Sequence, residues 1–176
     1  MSEFAAFSEW QAFSSGLVKV ALAQENATLA MRYDFGDAGG FVVARREWPL
    51  QLPERFRFRL RLRGEGQPNR LEVKLVDPTG TNVWWFRRAA VRWSGEWESW
   101  LLESRDFEFA WGPAGGGQPS DVAAVEVAIV AEAGGAGVLQ LAELTVEDLS
   151  SQEACVVTTS GTQSGYAASP LQGHWR

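Results

Sequence analysis

The sequence predicts an all-β protein, an antiparallel β-sandwich, from two observations. Apolar and polar residues alternate along most of the chain, and clusters of Gly, Pro, Asn and Asp separate the alternating segments. The clearest segment is 55–63, where Phe56, Phe58, Leu60 and Leu62 occupy every second position and five arginines occupy the others. A strand places these two sets on opposite faces, whereas a helix would mix them.

Taken in order, the first strands are separated by glycine-rich turns. Segments 17–23, 28–35 and 40–48 alternate, and residues 36–40 supply the turn before the third. The arginine-rich strand 55–63 ends at the turn sequence 64–69.

The fifth strand, 71–77, is predicted to point Leu71, Val73 and Leu75 inward and Glu72 and Lys74 outward. It ends in Asp-Pro-Thr-Gly, which suits a type I turn because proline fixes the second position.

The last four predicted strands are 82–88, 97–103, 122–131 and 137–146, with the turn 134–137 before the final one. In 122–131, Val125, Val127 and Ile129 should face inward. The outward set, which is Ala124, Glu126 and Ala128, would join Arg59, Arg61, Glu72 and Lys74 in one polar outer surface. Such a surface suits a sugar platform and an ordinary solvated sheet face equally well.

Composition excludes several classes of function. The chain of 176 residues has a net charge of −6, which argues against nucleic acid as a partner. It has no apolar run long enough to span a membrane. Its N-terminus lacks the pattern of a signal peptide, so we expect either a cytoplasmic protein or a module excised from an exported bacterial protein.

Catalysis is not expected. The one histidine, His174, lies in the tail with the one cysteine, Cys155, so no nucleophile–histidine pair is predicted. The 22 acidic residues could supply the two carboxylates of a glycosidase, but no spacing singles out a pair. The loop 115–117 is not followed by the Lys-Ser/Thr of a phosphate-binding loop.

Tryptophan is concentrated in the middle of the chain. Trp84 and Trp85 are adjacent, so one should be buried and the other exposed, and the sequence does not say which. Trp111 begins a glycine-rich loop and is expected to plug one end of the sandwich. The candidate ligand-binding residues are Glu72, Lys74, Asn82, Trp85, Arg87 and Trp97. The alternative for the charged members is a ladder of cross-strand ion pairs.

Three segments carry a family resemblance: 71–77, the Asn-Val-Trp-Trp of 82–85, and 109–117 with its Trp-Gly-Pro-Ala-Gly-Gly-Gly loop. Together they resemble bacterial jelly-roll carbohydrate-binding modules of the galactose-binding-like class, over about residues 4–149. The resemblance implies a jelly roll at 1–149 that holds a polysaccharide near a neighbouring domain of a larger chain.

The remaining segment, 150–176, is predicted to be a linker or the start of a second domain. Its Gly165-Tyr166, Ala168 and Trp175-Arg176 are similar to the opening of a discoidin (coagulation factor 5/8 type C) domain.

The resemblance also bears on metal binding, since many such modules carry a structural calcium ion. Glu143, Glu147 and Asp148 are compatible with that role, but Ala5-Ala6 stand where the resemblance implies an acidic ligand. No cofactor is therefore expected. The rival to carbohydrate binding is a spacer or protein-docking domain without a ligand, and a glycosidase fragment is a minor third reading.

Overall fold

The computed structural model describes residues 9–151, and within this range the chain forms two packed antiparallel sheets. This confirms the predicted all-β sandwich. A 3-10 turn, Ser104–Asp106, lies between β8 and β9. The strands are β1 (Trp10–Ser14), β2 (Lys19–Glu25), β3 (Thr28–Asp34), β4 (Phe41–Gln51), β5 (Phe56–Gly66), β6 (Asn69–Val76), β7 (Val83–Val91), β8 (Glu98–Glu103), β9 (Glu108–Trp111), β10 (Asp121–Val130) and β11 (Ala136–Asp148).

One sheet has six strands in the order β1-β4-β10-β6-β7-β9, and the other has five in the order β2-β3-β11-β5-β8. All nine predicted strands are present. The short strands β1 and β9 were not predicted, because four or five residues carry too little alternation to be recognised. The last two strands of the chain occupy interior positions: β10 lies between β4 and β6, and β11 between β3 and β5.

The core lies between the two sheets and follows the predicted alternation. Phe56, Phe58, Leu60 and Leu62 of β5 are fully buried, as are the inward residues of β6. Phe58 is surrounded by aromatic rings, with centroids 6.2 Å from Trp48, 5.6 Å from Phe56 and 5.8 Å from Phe107. The prediction that Val125, Val127 and Ile129 face inward is also confirmed.

The predicted single outer surface is wrong. Arg59 and Arg61 belong to β5 in the five-stranded sheet, whereas Glu72, Lys74 and Glu126 belong to β6 and β10 in the six-stranded sheet. The two sets therefore lie on opposite outer faces of the sandwich. Alternation tells which residues point away from the core but not which sheet carries them.

No helix among residues 9–151 is long and apolar enough to cross a bilayer. The discoidin-like segment of the tail and Ala5-Ala6 lie outside the described residues.

Candidate functional site

Two aromatic rings lie beside one lysine on the outer face of the six-stranded sheet, and a third ring packs against one of them. Lys74 Nζ lies 5.8 Å from the ring centroid of Phe41 and 5.8 Å from that of Trp111. The rings of Trp85 and Trp111 meet edge to face with centroids 5.4 Å apart. Phe41 is 41% exposed, Trp111 is 48% exposed, and Trp85 is half-buried. We call these four residues the aromatic platform.

Strand pairing decides which tryptophan of the adjacent pair faces outward. Trp84 lies opposite the inward Leu75, and Trp85 opposite the outward Lys74. Trp84 is accordingly buried, with its ring 5.6 Å from that of Phe109, and its indole N–H donates to the Gly117 carbonyl oxygen at 2.7 Å. Trp85 is thus the outward member of the pair.

Trp111 does not plug the sandwich, and that expectation is wrong. Strict alternation along β9 would place Trp111 on the same face as Phe109, which packs against the core. The pairing of β7 with β9 shifts between Val83 and Trp84, so Trp111 lies opposite Val83 and joins Trp85 on the outer face. Such register shifts change which face of the sheet a side chain occupies. The sequence carries no local signal for the shift between β7 and β9.

Ion pairs surround the aromatic platform. Glu72 is only 3% exposed and contacts two cations, Arg70 Nε at 3.1 Å and Lys74 Nζ at 3.3 Å. Arg45 Nη1 donates to Glu126 Oε1 at 3.0 Å, and Arg45 Nε donates to Glu47 Oε1 at 2.8 Å. Although burial acts to lower it, the pKa of Arg45 is raised by these two carboxylates.

Small residues on the central strand let these long side chains lie flat. Ala124 and Ala128 of β10 point outward, as predicted, yet both are fully buried. The side chain of Lys74 is only 12% exposed, so most of its length is covered as well. Lys74, Arg45 and Glu126 are therefore held close to the sheet rather than extended into solvent.

A cleft of about 490 Å³ opens beside the platform, where β7 continues past its pairing with β9. The guanidinium carbon of Arg87 lies 4.1 Å from the ring centroid of Trp85. Arg87 Nη2 is also 3.5 Å from Glu108 Oε2, so the cleft wall presents donors and acceptors together. The polar and aromatic lining includes Arg70, Trp85, Arg87, Arg105, Asp106 and Glu108.

Asn82 lies in the turn between β6 and β7, and both ends of its amide contact the protein. Its Nδ2 donates to Asp77 Oδ2 at 2.9 Å, and its Oδ1 accepts from the Ala114 N–H at 2.7 Å. The residue is 9% exposed. Asn82 therefore connects this turn to the loop that follows Trp111.

Asp77 is the acceptor that holds this turn together, and we expect Asp77→Asn to destabilise the domain in a pH-dependent way. Burial acts to raise its pKa, but hydrogen bonds from Asn82, Thr79 and Thr81 lower the pKa to about 2 from an ordinary 3.8. Because the folded pKa is the lower one, this stabilisation is present above pH 3.8 and is lost as the pH falls through about 2.

The Asp77→Asn variant should lose about 1 kcal/mol of unfolding free energy at pH 7, a value discounted for solvent exposure. The difference from the parent should shrink between pH 4 and pH 2, as measured by urea unfolding at each pH. Asp37→Asn, at an exposed turn carboxylate, is the matched control and should show no such trend. A pH-independent deficit would contradict the assignment of the stabilisation to the ionised carboxylate.

Trp97 lies on the other side of the molecule from the platform. Its ring contacts Arg61 and Arg63, which point outward from β5 of the five-stranded sheet. The structure therefore brings together four of the six predicted residues, which are Glu72, Lys74, Trp85 and Arg87. Asn82 lies in the turn between β6 and β7, and Trp97 lies on the opposite face. Phe41 and Trp111 are the members that sequence reasoning missed.

The acidic residues considered for calcium have contacts within the protein. Arg59 Nε lies 3.9 Å from Glu143 Oε1, Arg59 Nη2 lies 3.3 Å from Glu147 Oε1, and Asp148 Oδ1 accepts from the Ser150 N–H. Between residues 9 and 151, no three His, Cys, Asp or Glu side chains are grouped so as to hold a metal ion.

Comparison with solved structures identifies the architecture. The chain superimposes on a family 11 carbohydrate-binding module from Clostridium thermocellum, in complex with a β-1,3-1,4-mixed-linked tetrasaccharide, with a TM-score of 0.58 at 12% identity. The match covers 80% of this chain and 92% of that one. The chain is similar in fold to carbohydrate-binding modules. The same fold also matches part of a larger protein, an agarase, with a TM-score of 0.54 at 13% identity. That match covers 84% of this chain and 24% of the agarase chain. No family model and no curated protein matches the sequence.

Proposed function

We propose that the chain is a non-catalytic carbohydrate-binding module that holds a neutral glycan across the outer face of its six-stranded sheet. The observation that carries the proposal is the aromatic platform, in which the rings of Phe41 and Trp111 lie beside Lys74 and Trp85 packs against Trp111. The C–H faces of a sugar ring pack on indole and phenyl rings in the way that bases stack on aromatic side chains.

The polar surroundings of the platform favour a ligand rich in hydroxyl groups. Charged groups make stronger hydrogen bonds than neutral ones, and a hydroxyl can both donate to a carboxylate and accept from a guanidinium. Arg87 and Glu108, at 41% and 74% side-chain exposure, offer both kinds of group at the cleft wall.

The balance of charge supports a neutral ligand. The cationic groups nearest the platform each contact a carboxylate, so the face offers no excess of either sign. The contacts involve four cations and four carboxylates: Arg45 with Glu47 and Glu126, Arg70 and Lys74 with Glu72, and Arg87 with Glu108. A charged glycan would have to displace one of these contacts.

The comparisons and the same ion pairs support a holding role beside a neighbouring domain. The module fold accounts for about a quarter of the agarase that it matches, so it occurs joined to further chain. A glycosidase needs two carboxylates free to act on a bond between them, and Glu72, Glu108 and Glu126 are instead bound to cations. The proposal includes no metal or cofactor.

The test is electrophoresis of the chain through gels that contain neutral polysaccharides, in the presence of a chelator. We expect retardation by at least one of mixed-linked β-glucan, agarose and galactan, with a dissociation constant in the micromolar to millimolar range. Retardation by none would favour the spacer or docking-domain alternative. Release of reducing sugar by the purified chain would establish an enzyme instead.

A further inference from the structure

On the outer face of the five-stranded sheet, two adjacent arginines of β5 have no carboxylate partner among residues 9–151. Most arginines on this face contact a carboxylate, at N–O distances between 2.6 and 3.3 Å. The contacts join Arg32 to Glu25, Arg57 to Glu103, and Arg59 to Glu147.

Arg61 and Arg63 differ from these neighbours. No carboxylate oxygen of residues 9–151 lies within 4.0 Å of either guanidinium. Arg63 Nε donates to the neutral amide of Gln140 at 2.8 Å. Glu143 lies opposite Arg61 in the strand register, but its carboxylate contacts Arg59 Nε at 3.9 Å instead. Two unneutralised cations are thus adjacent on one face of one strand.

Both guanidiniums converge on the same indole. The Cζ atoms of Arg61 and Arg63 lie 5.5 Å and 5.0 Å from the ring centroid of Trp97. Such a contact holds a guanidinium through its flat face and leaves its N–H edges free, and each guanidinium carries five donors in a fixed fork. Gln140 uses one of the donors of Arg63. The remaining donors suit a bidentate contact with a planar or tetrahedral anion.

We propose that Arg61, Arg63 and Trp97 form a second binding site, which takes the anionic group of an acidic glycan. The anionic group is an oxyanion on a sugar ring, which is either the carboxylate of a uronic acid or a sulfate ester. This site is separate from the neutral-glycan site, because it lies on the opposite sheet. A module with both sites would connect two different polysaccharides.

The surroundings favour a sparsely charged glycan over nucleic acid. The chain has a net charge of −6, and two carboxylates border the site: Glu143 lies opposite Arg61 in the register, and Glu25 accepts from the Gln140 amide at 3.4 Å. Nucleic acid carries closely spaced phosphates and needs an extended basic surface. At this site the cations without a carboxylate partner are two adjacent arginines of one strand, not an extended basic surface.

The test compares four tetrameric probes by calorimetric titration: tetragalacturonic acid, a κ-carrageenan tetrasaccharide, cellotetraose and tetrathymidylate. The first two carry carboxylate and sulfate, so their comparison identifies the anion. We expect one or both to bind, with the Arg Nε–Hε signals of Arg61 and Arg63 shifting in the NMR spectrum. The double substitution Arg61→Gln with Arg63→Gln should weaken this binding about tenfold or more.

Arg57→Gln is the matched control, since Arg57 is an already neutralised arginine of the same face, and its partners Glu103 and Glu147 keep contacts with Arg105 and Arg59. It should change the affinity less than about twofold, by analogy with exposed ion pairs. The double variant should keep the gel retardation by neutral polysaccharide, which separates this proposal from the first. Three outcomes would overturn it: no binding of either acidic tetrasaccharide, an equal loss in Arg57→Gln, or equally tight binding of tetrathymidylate.

Discussion

Replacing Trp111 with alanine is expected to weaken binding of a neutral polysaccharide by about tenfold to a hundredfold without unfolding the domain. The indole is 48% exposed and touches Trp85 only edge to face, so a sugar ring can stack on it. Stacking on an aromatic side chain is worth about 1–3 kcal/mol for a nucleobase, and a sugar ring should fall in the same range. The measurement is the dissociation constant from affinity gels or calorimetry.

Leu101→Ala provides the control for this substitution. Leu101 is 46% exposed on β8 of the five-stranded sheet, so its truncation removes comparable exposed apolar surface from the opposite face. It should leave neutral-polysaccharide binding unchanged. If both Trp111→Ala and Trp85→Ala bound neutral polysaccharide as tightly as the parent, the aromatic platform would not be the binding site.

The largest effect on stability is expected from Phe58→Ala, which should cost about 3–5 kcal/mol of unfolding free energy. Phe58 is fully buried and contacts the rings of Trp48, Phe56 and Phe107 from several sides, so the surrounding structure cannot easily close the cavity. The total free energy of unfolding of a domain of this size is roughly 5–15 kcal/mol. The variant should therefore unfold at much lower urea concentration.

Phe13→Ala is the matched control, because the same change is made at a side chain that is 45% exposed on β1. Its effect should stay within about 0.5 kcal/mol, as for most surface substitutions. If Phe58→Ala cost no more than Phe13→Ala, the aromatic cluster would not be the centre of the core.

Much of the fold could be predicted because burial follows alternation. The apolar positions of β5 and β6 are fully buried, and the nine long strands were placed within a few residues of their observed bounds. Where a bulge occurs, the rule fails locally. In β11 the register shifts between Leu141 and Glu143, so the inward positions change from Leu139 and Leu141 to Leu144.

The candidate site was only partly predictable, because it depends on which strands become neighbours. Lys74 and Trp85 lie opposite each other on the paired strands β6 and β7, which are neighbours in the chain. Their proximity could therefore be inferred from the sequence. Phe41 reaches the same lysine only because β10 brings β4 to β6. Trp97 was grouped with them on its residue type, and the chain instead carries it to the other sheet.

The interior positions of β10 and β11 have a consequence for synthesis on the ribosome. Until β10, which begins at Asp121, has emerged, β1 and β4 cannot be joined to β6, β7 and β9 in the six-stranded sheet. Until β11, which begins at Ala136, has emerged, β2 and β3 cannot be joined to β5 and β8 in the five-stranded sheet. Pairings between residues so distant in the chain form slowly, since long loops must close first. We therefore expect the two sheets to be completed only after the final strand has been translated, so that both outer faces form late.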